Sequence, residues 1–257
     1  MNKILAIGRN TFREAIRDKI LYAILIFALL MLFVALAFGE LSGADSKVGS
    51  KVTKDLGMTF ISLFGVLIAI FTGVSLVHKE IDKRTLYTVI SKPIRRYQFI
   101  VGKYLGMLYT ALAQIIVLSL TFAGLLMYQD QIINFDLFKA IYLYWLEIML
   151  IISVALFFSS FTTPFFSGFF TFCIFLIGRL MPDIHMVLLK VKHPITLALL
   201  KLSTILPNLQ FLNISHRVVH NEIVPLQYLW ASTLYVFFYI LIFLTLGALI
   251  FRRRDFI

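Results

Sequence analysis

Six apolar stretches punctuate the chain, at residues 20–38, 56–77, 104–127, 141–160, 165–181 and 228–251. A helix that crosses a bilayer needs ~20 predominantly apolar residues. Five of the stretches come close to or exceed that length; 165–181 is shorter and rich in phenylalanine. The pattern predicts an all-α membrane protein, a single domain over residues 1–257 with six transmembrane helices. The polar intervals have characters of their own. At the N-terminus, Ile4, Leu5, Phe12, Ile16 and Ile20 fall mostly on one helical face, with Arg9, Arg13, Arg17 and Lys19 largely elsewhere. That spacing predicts an amphipathic interfacial helix ahead of the first span. The interval 39–55 is rich in Gly and Ser with mixed charge and reads as a flexible connector. Residues 184–206 are apolar enough to enter a membrane but contain Lys190, Lys192, His193, Pro194 and Lys201. Lysines and a central proline suit two short re-entrant helices broken at Pro194 better than a full span. Residues 206–213, with Pro207 and Asn208, read as a turn.

Composition agrees with a bilayer as the solvent. Hydrophobic residues make up 60% of the chain and charged residues only 14%, where soluble domains carry roughly a quarter charged. The formal net charge of +11 does not point to nucleic acid, because the basic residues cluster at the ends of apolar segments as topology and anionic-lipid signals do. With the N-terminus inside, the inner segments hold fifteen Lys/Arg and the longer outer ones eight, apart from Arg179. This bias places both termini in the cytoplasm and the protein, multi-pass, in the cytoplasmic membrane. The basic N-terminal segment has no small-residue cleavage site after the apolar run that follows, so no cleavable signal peptide is expected. Cys173, the single cysteine, excludes an intrachain disulfide.

Recognisable catalytic chemistry is missing. The chain has no GxxxxGK[ST] phosphate loop, GxSxG elbow, HExxH or Gly-rich dinucleotide fingerprint. His216 and His220 are spaced to share a helical face, with Glu222 or Asp183 as conceivable third ligands of a metal; polar histidines in a loop are the plainer reading. Glu147 stands inside the fourth span, and an intramembrane acid usually has a partner. Arg179, on the same outer side, is the natural one, in a structural pair. Phe157, Phe158, Phe161, Phe165, Phe166, Phe169 and Phe170 straddle the fourth and fifth spans, where packing is the default role and lining for a lipidic substrate the sharper one.

The distinctive stretch is 78–103, HKEIDKRTLYTVISKPIRRYQFIVGK, with seven Lys/Arg and two acids in 26 residues. Leu86, Val89 and Ile90 make an apolar edge at i, i+3, i+4, and Pro93 ends that short helix. A cytoplasmic helix with one apolar edge and cationic flanks suits the groove of a partner protein. Glu80, Thr85-Leu86, Pro93, Arg96, Phe99 and Gly102-Lys103 resemble the E…TL…P…R…GK pattern after the second span of ABC-2-type transporter permeases. The resemblance covers the whole chain, with one departure, Arg84, where many members have glycine. It implies a permease that is not itself an ATPase. Such a permease forms a homodimer and seats this stretch as a coupling helix on two copies of a separate ATP-binding subunit, which holds the ATP and Mg. The resemblance assigns the outer segment 182–210, with Pro194, Pro207 and Asn208, the role of a cap over the pathway, and Pro207-Asn208 in its long loop looks most like permeases of the copper-site-assembly and antibiotic or sodium export groups. Export of a substrate is the first expectation, transmission of force to an extracytoplasmic partner the second, and an intramembrane metalloenzyme using His216, His220 and Glu222 the third.

Overall fold

A computed structural model describes residues 3–42, 46–82, 96–129, 135–190, 206–220 and 222–253. All regular structure among these residues is helical. In chain order, α1 is Lys3–Ile16, α2 Lys19–Leu41, α3 Ser46–Asp82, α4 Arg96–Tyr128, α5 Phe135–Ser159, α6 Pro164–Arg179, α7 Met181–Lys190, α8 Ser215–Val219 and α9 Leu226–Arg253, with a 3-10 turn at Leu209–Leu212. Five helices (α2, α3, α4, α5 and α9) are long and apolar enough to cross a membrane. The sixth expected span is α6, which bends by 64° into α7; sixteen residues reach only about 24 Å, short of a ~30 Å hydrocarbon core.

Local chemistry sets the breaks. The last turn of α1 is closed by short-range backbone hydrogen bonds from the Arg17 amide to the Glu14 carbonyl and from the Asp18 amide to the Ala15 carbonyl. Asp18 then caps α2 by accepting from the Ile20 amide at 3.1 Å. Ile20 therefore belongs to α2, not to the amphipathic helix whose face it was expected to complete. Pro164 opens α6, where a missing N–H costs nothing and the fixed φ is already helical.

One expectation is overturned at 46–55. The Gly/Ser-rich interval predicted as a flexible connector is, over these residues, the first turns of α3. Its small residues serve close packing. A Cβ on Gly49 would strike the Gly39 carbonyl, and one on Gly39 would strike Thr53. Thr53 is fully buried and turns its hydroxyl back to the Gly49 carbonyl at 3.1 Å. Small residues let apolar helices approach backbone to backbone, a leading source of helix association in lipid. Other helices also outrun their apolar stretches: α4 starts at Arg96 and α5 at Phe135, because a hydropathy pattern marks membrane thickness and not helix length.

The core is centred on α5, which packs against α3, α4, α6, α8 and α9. Leu143, Leu150, Ile151, Val154 and Ala155 of α5 are inaccessible to solvent. The apolar windows of α3 and α5 are each 67% buried, those of α2 and α9 only 22% and 17%. Thus α3 and α5 form the inside of the bundle while α2 and α9 face outward. The α1 helix lies on α4. Residues 206–213 lie against the end of α6 at Gly178 and against α9 at Tyr228 and Tyr235.

Candidate functional site

Three side chains from three helices meet in the middle of the bundle. Glu147 of α5 is fully buried. Its Oε1 accepts from Arg179 Nη1 at 3.0 Å, and its Oε2 accepts from the Ser62 hydroxyl of α3 at 3.0 Å. Arg179 Nη2 donates to Ser62 Oγ at 2.9 Å, closing a three-membered ring. Arg179 ends α6, where the helix dipole favours a cation. A lone buried carboxylate is very costly; here both oxygens are occupied and the opposite charge is in contact, the conditions under which a buried pair is tolerated. Glu147 and Arg179 were named from the sequence. Ser62 was not: it is one hydroxyl in an apolar run, indistinguishable by pattern from serines such as Ser153 that bond to their own helix.

The segment above this ring is tied down at named points. The Pro207 carbonyl lies so close to Gly178 that a Cβ there would collide with it. The Asn208 amide donates to the Tyr235 hydroxyl of α9 at 2.7 Å, and the Tyr228 hydroxyl donates to the Phe211 carbonyl. Leu209 and Leu212 of the 3-10 turn are fully buried. Asn213 Oδ1 accepts from the Ser215 amide at 3.1 Å and its hydroxyl at 2.8 Å. The Tyr144 hydroxyl, one turn from Glu147, lies 3.5 Å from the same oxygen. Lys139 of α5 donates to the Val224 carbonyl at 2.8 Å. Pro194 and the rest of 191–205 lie outside the described residues. Tyr235→Phe removes the acceptor of a partly buried amide; it should destabilise this segment by about 1–3 kcal/mol, seen as faster hydrogen exchange at residues 206–213 with little change in α3.

His216 and His220 stack with ring centroids 4.2 Å apart, both exposed, and His220 Nδ1 lies 2.9 Å from the His216 carbonyl. Among the described residues no cluster of three His, Cys, Asp or Glu is placed to hold a metal.

Of the loop residues named from the sequence, Thr85, Leu86, Val89, Ile90 and Pro93 lie outside the described residues. Glu80 falls in the last turn of α3, and Arg96 is the first residue of α4. Gly102 and Lys103 face α1. A Cβ on Gly102 would collide with Ile7 and one on Gly106 with Thr11, so the glycines set how closely α1 can lie. Lys103 is 1% exposed; its Nζ is 3.7 Å from Glu14 Oε2 and 5.8 Å from the Phe99 ring centroid. Glu14, in the last turn of a basic helix, gave no sequence signal of this role.

A groove of about 490 Å³ runs between α3 and α6, walled by Leu67, Ile70, Phe71, Phe165, Phe169 and Phe172 among others. Phe165 and Phe169 are exposed, and Phe166 and Phe170 stack beside them at 6.1 Å. The expected phenylalanine cluster is continuous but serves two surfaces: Phe157, Phe158 and Phe161 pack on one another, Phe157 also on Phe243 of α9 and Phe158 on Phe170 of α6, while Phe165 and Phe169 border the groove.

A family model described as ABC-2 family transporter protein matches residues 5–256, nearly the whole chain. No curated protein matches the sequence.

Proposed function

The chain belongs to the ABC-2 family of transporter proteins, and from that premise we propose that it is the permease subunit of an ATP-driven exporter. It lacks a phosphate loop of its own, so the work comes from a separate subunit that binds ATP and Mg. Two permease copies pair in the cytoplasmic membrane with both termini inside, and each docks one copy of that ATPase through the coupling helix around Leu86, Val89 and Ile90, flanked by Glu80, Thr85, Pro93 and Arg96.

The observation that carries this reading is the continuity of α3. The helix runs unbroken from Ser46 to Asp82, about 55 Å by helical rise. One end leads into the docking stretch, and Ser62 on the same rod bonds to Glu147 and Arg179. A push received at the loop is therefore delivered to the polar ring by a rigid element, and from Arg179 to α6 and the cap. The phenylalanine-walled groove of α3 and α6 lies along that moving rod and serves as the wall of the pathway between the two copies.

A second reading has an observation of its own. Ile223, Leu226 and Trp230 stand 86%, 67% and 68% exposed where the cap joins α9. An extracytoplasmic partner seated there would receive the same stroke as force, with no cargo crossing.

Leu86→Asp or Val89→Asp places a charge on the apolar edge of the docking helix. Each variant should insert normally yet lose stimulation of the ATPase by the permease and cosedimentation with it. Unchanged coupling and complex formation would refute the docking role. Transport in vesicles lacking any outer partner separates the readings: cargo movement supports export, and ATP-driven motion of the cap without cargo movement supports force transmission.

A further inference from the structure

A second groove, of about 390 Å³, lies between α1 and α4. We propose that it binds one anionic phospholipid of the bilayer, with its headgroup phosphate on Arg9 and an acyl chain along α4. The wall is apolar, formed by Leu5 and Phe12 of α1 with Leu112, Ala113 and Ile116 of α4, and Tyr109 supplies an amphipathic ring. Arg9 is its one charged lining residue. Leu5, Tyr109 and Ile116 are 54%, 52% and 47% exposed, so the trough stands open on the outside of the bundle.

Charge complementarity identifies the occupant. The single acid of α1 is Glu14, already engaged with Lys103. Among the described residues Arg9 has no acidic partner, and Arg13 one turn on adds a second exposed cation. A guanidinium presents its fork of donors to a phosphate in two parallel hydrogen bonds. The apolar wall beneath that fork has no use for a free phosphate but matches an acyl chain on the same molecule. A second copy of the chain fits less well. A two-fold contact through this groove would set the basic face of α1 against its own image, and like charges oppose that arrangement. The proposal is independent of the reading of the docking loop.

The test uses the full chain in nanodiscs of phosphatidylcholine doped with phosphatidylglycerol. Native mass spectrometry of the released protein should show one retained phosphatidylglycerol per chain. Arg9→Ala should weaken retention about fivefold, the factor for one basic residue near an anionic surface. Ala113→Trp, which fills the trough and leaves every charge in place, should abolish retention while thermal unfolding in phosphatidylcholine stays unchanged. Loss with Arg9→Ala but not with Ala113→Trp would overturn the proposal in favour of diffuse attraction to the basic surface. Equal retention of phosphatidylcholine and phosphatidylglycerol would overturn the role of Arg9. A cross-link between two copies through cysteines at positions 9 and 113 would overturn it in favour of a protein interface.

Discussion

Arg179→Met should lower the stability of the bundle by about 3–5 kcal/mol, the cost of stranding one member of a buried pair. It leaves the fully buried Glu147 carboxylate with only the Ser62 hydroxyl, and it cuts the sole charged link from α6 to α5 and α3 seen among the described residues. Unfolding of the purified protein in mixed micelles by increasing denaturant should show the loss directly. Glu147→Leu combined with Arg179→Met should recover most of it, since no charge is then buried unpaired. The double variant should nevertheless transmit motion poorly from α3 to the cap, because the hydrogen bonds of Arg179 to Glu147 and Ser62 are gone. An Arg179→Met protein as stable as the parent would show that the ring contributes nothing to the fold.

Gly106→Leu should displace α1 from α4. At the crossing, a Cβ on Gly106 already meets the Gly8 carbonyl and the Thr11 Cβ, a backbone atom and the first side-chain carbon, neither of which moves when a side chain rotates. Overpacking of a tight contact costs typically about 1–3 kcal/mol, and here separation of the two helices relieves it. Lys103, buried beside Glu14, becomes accessible as α1 leaves. Lys103 should react with an amine reagent only in the variant, and amide hydrogen exchange in α1 should be faster there than in the parent. Lys103 equally shielded and α1 exchanging equally slowly in both would show that the glycines do not set the crossing.

Much of the architecture can be read from the residues because a bilayer imposes a length and a polarity on whatever crosses it. The apolar runs at 20–38, 104–127 and 228–251 each lie within one long helix. Where the reading fell short, the same alphabet serves two purposes. Gly and Ser at 46–55 compose a loop in water but a contact surface between α2 and α3 in the bundle. The phenylalanines of 157–170 look alike in sequence, yet Phe157 packs on Phe243 while Phe165 borders an open groove. The sequence names Gly102-Lys103 as the close of the docking loop and gives no sign that this pair also lies against α1, Gly102 beneath Ile7 and Lys103 beside Glu14.

Hydropathy and charge determined that the chain is a multi-pass helical protein with a basic, proline-ended loop between two apolar runs, because those properties are sums over local residues and need no knowledge of neighbours; the resemblance to ABC-2 permeases came from the individual residues of that loop. Glu147 and Arg179 stood out for the same reason: a charge in an apolar run is visible wherever it faces. Only the tertiary structure decided that Ser62 completes their ring, that Tyr235 and Tyr228 fasten the backbone at Asn208 and Phe211, and that Arg9 overlooks an apolar trough. Each of these joins helices that are distant in sequence, and a hydroxyl or guanidinium acquires its role from what the packing places within hydrogen-bonding reach.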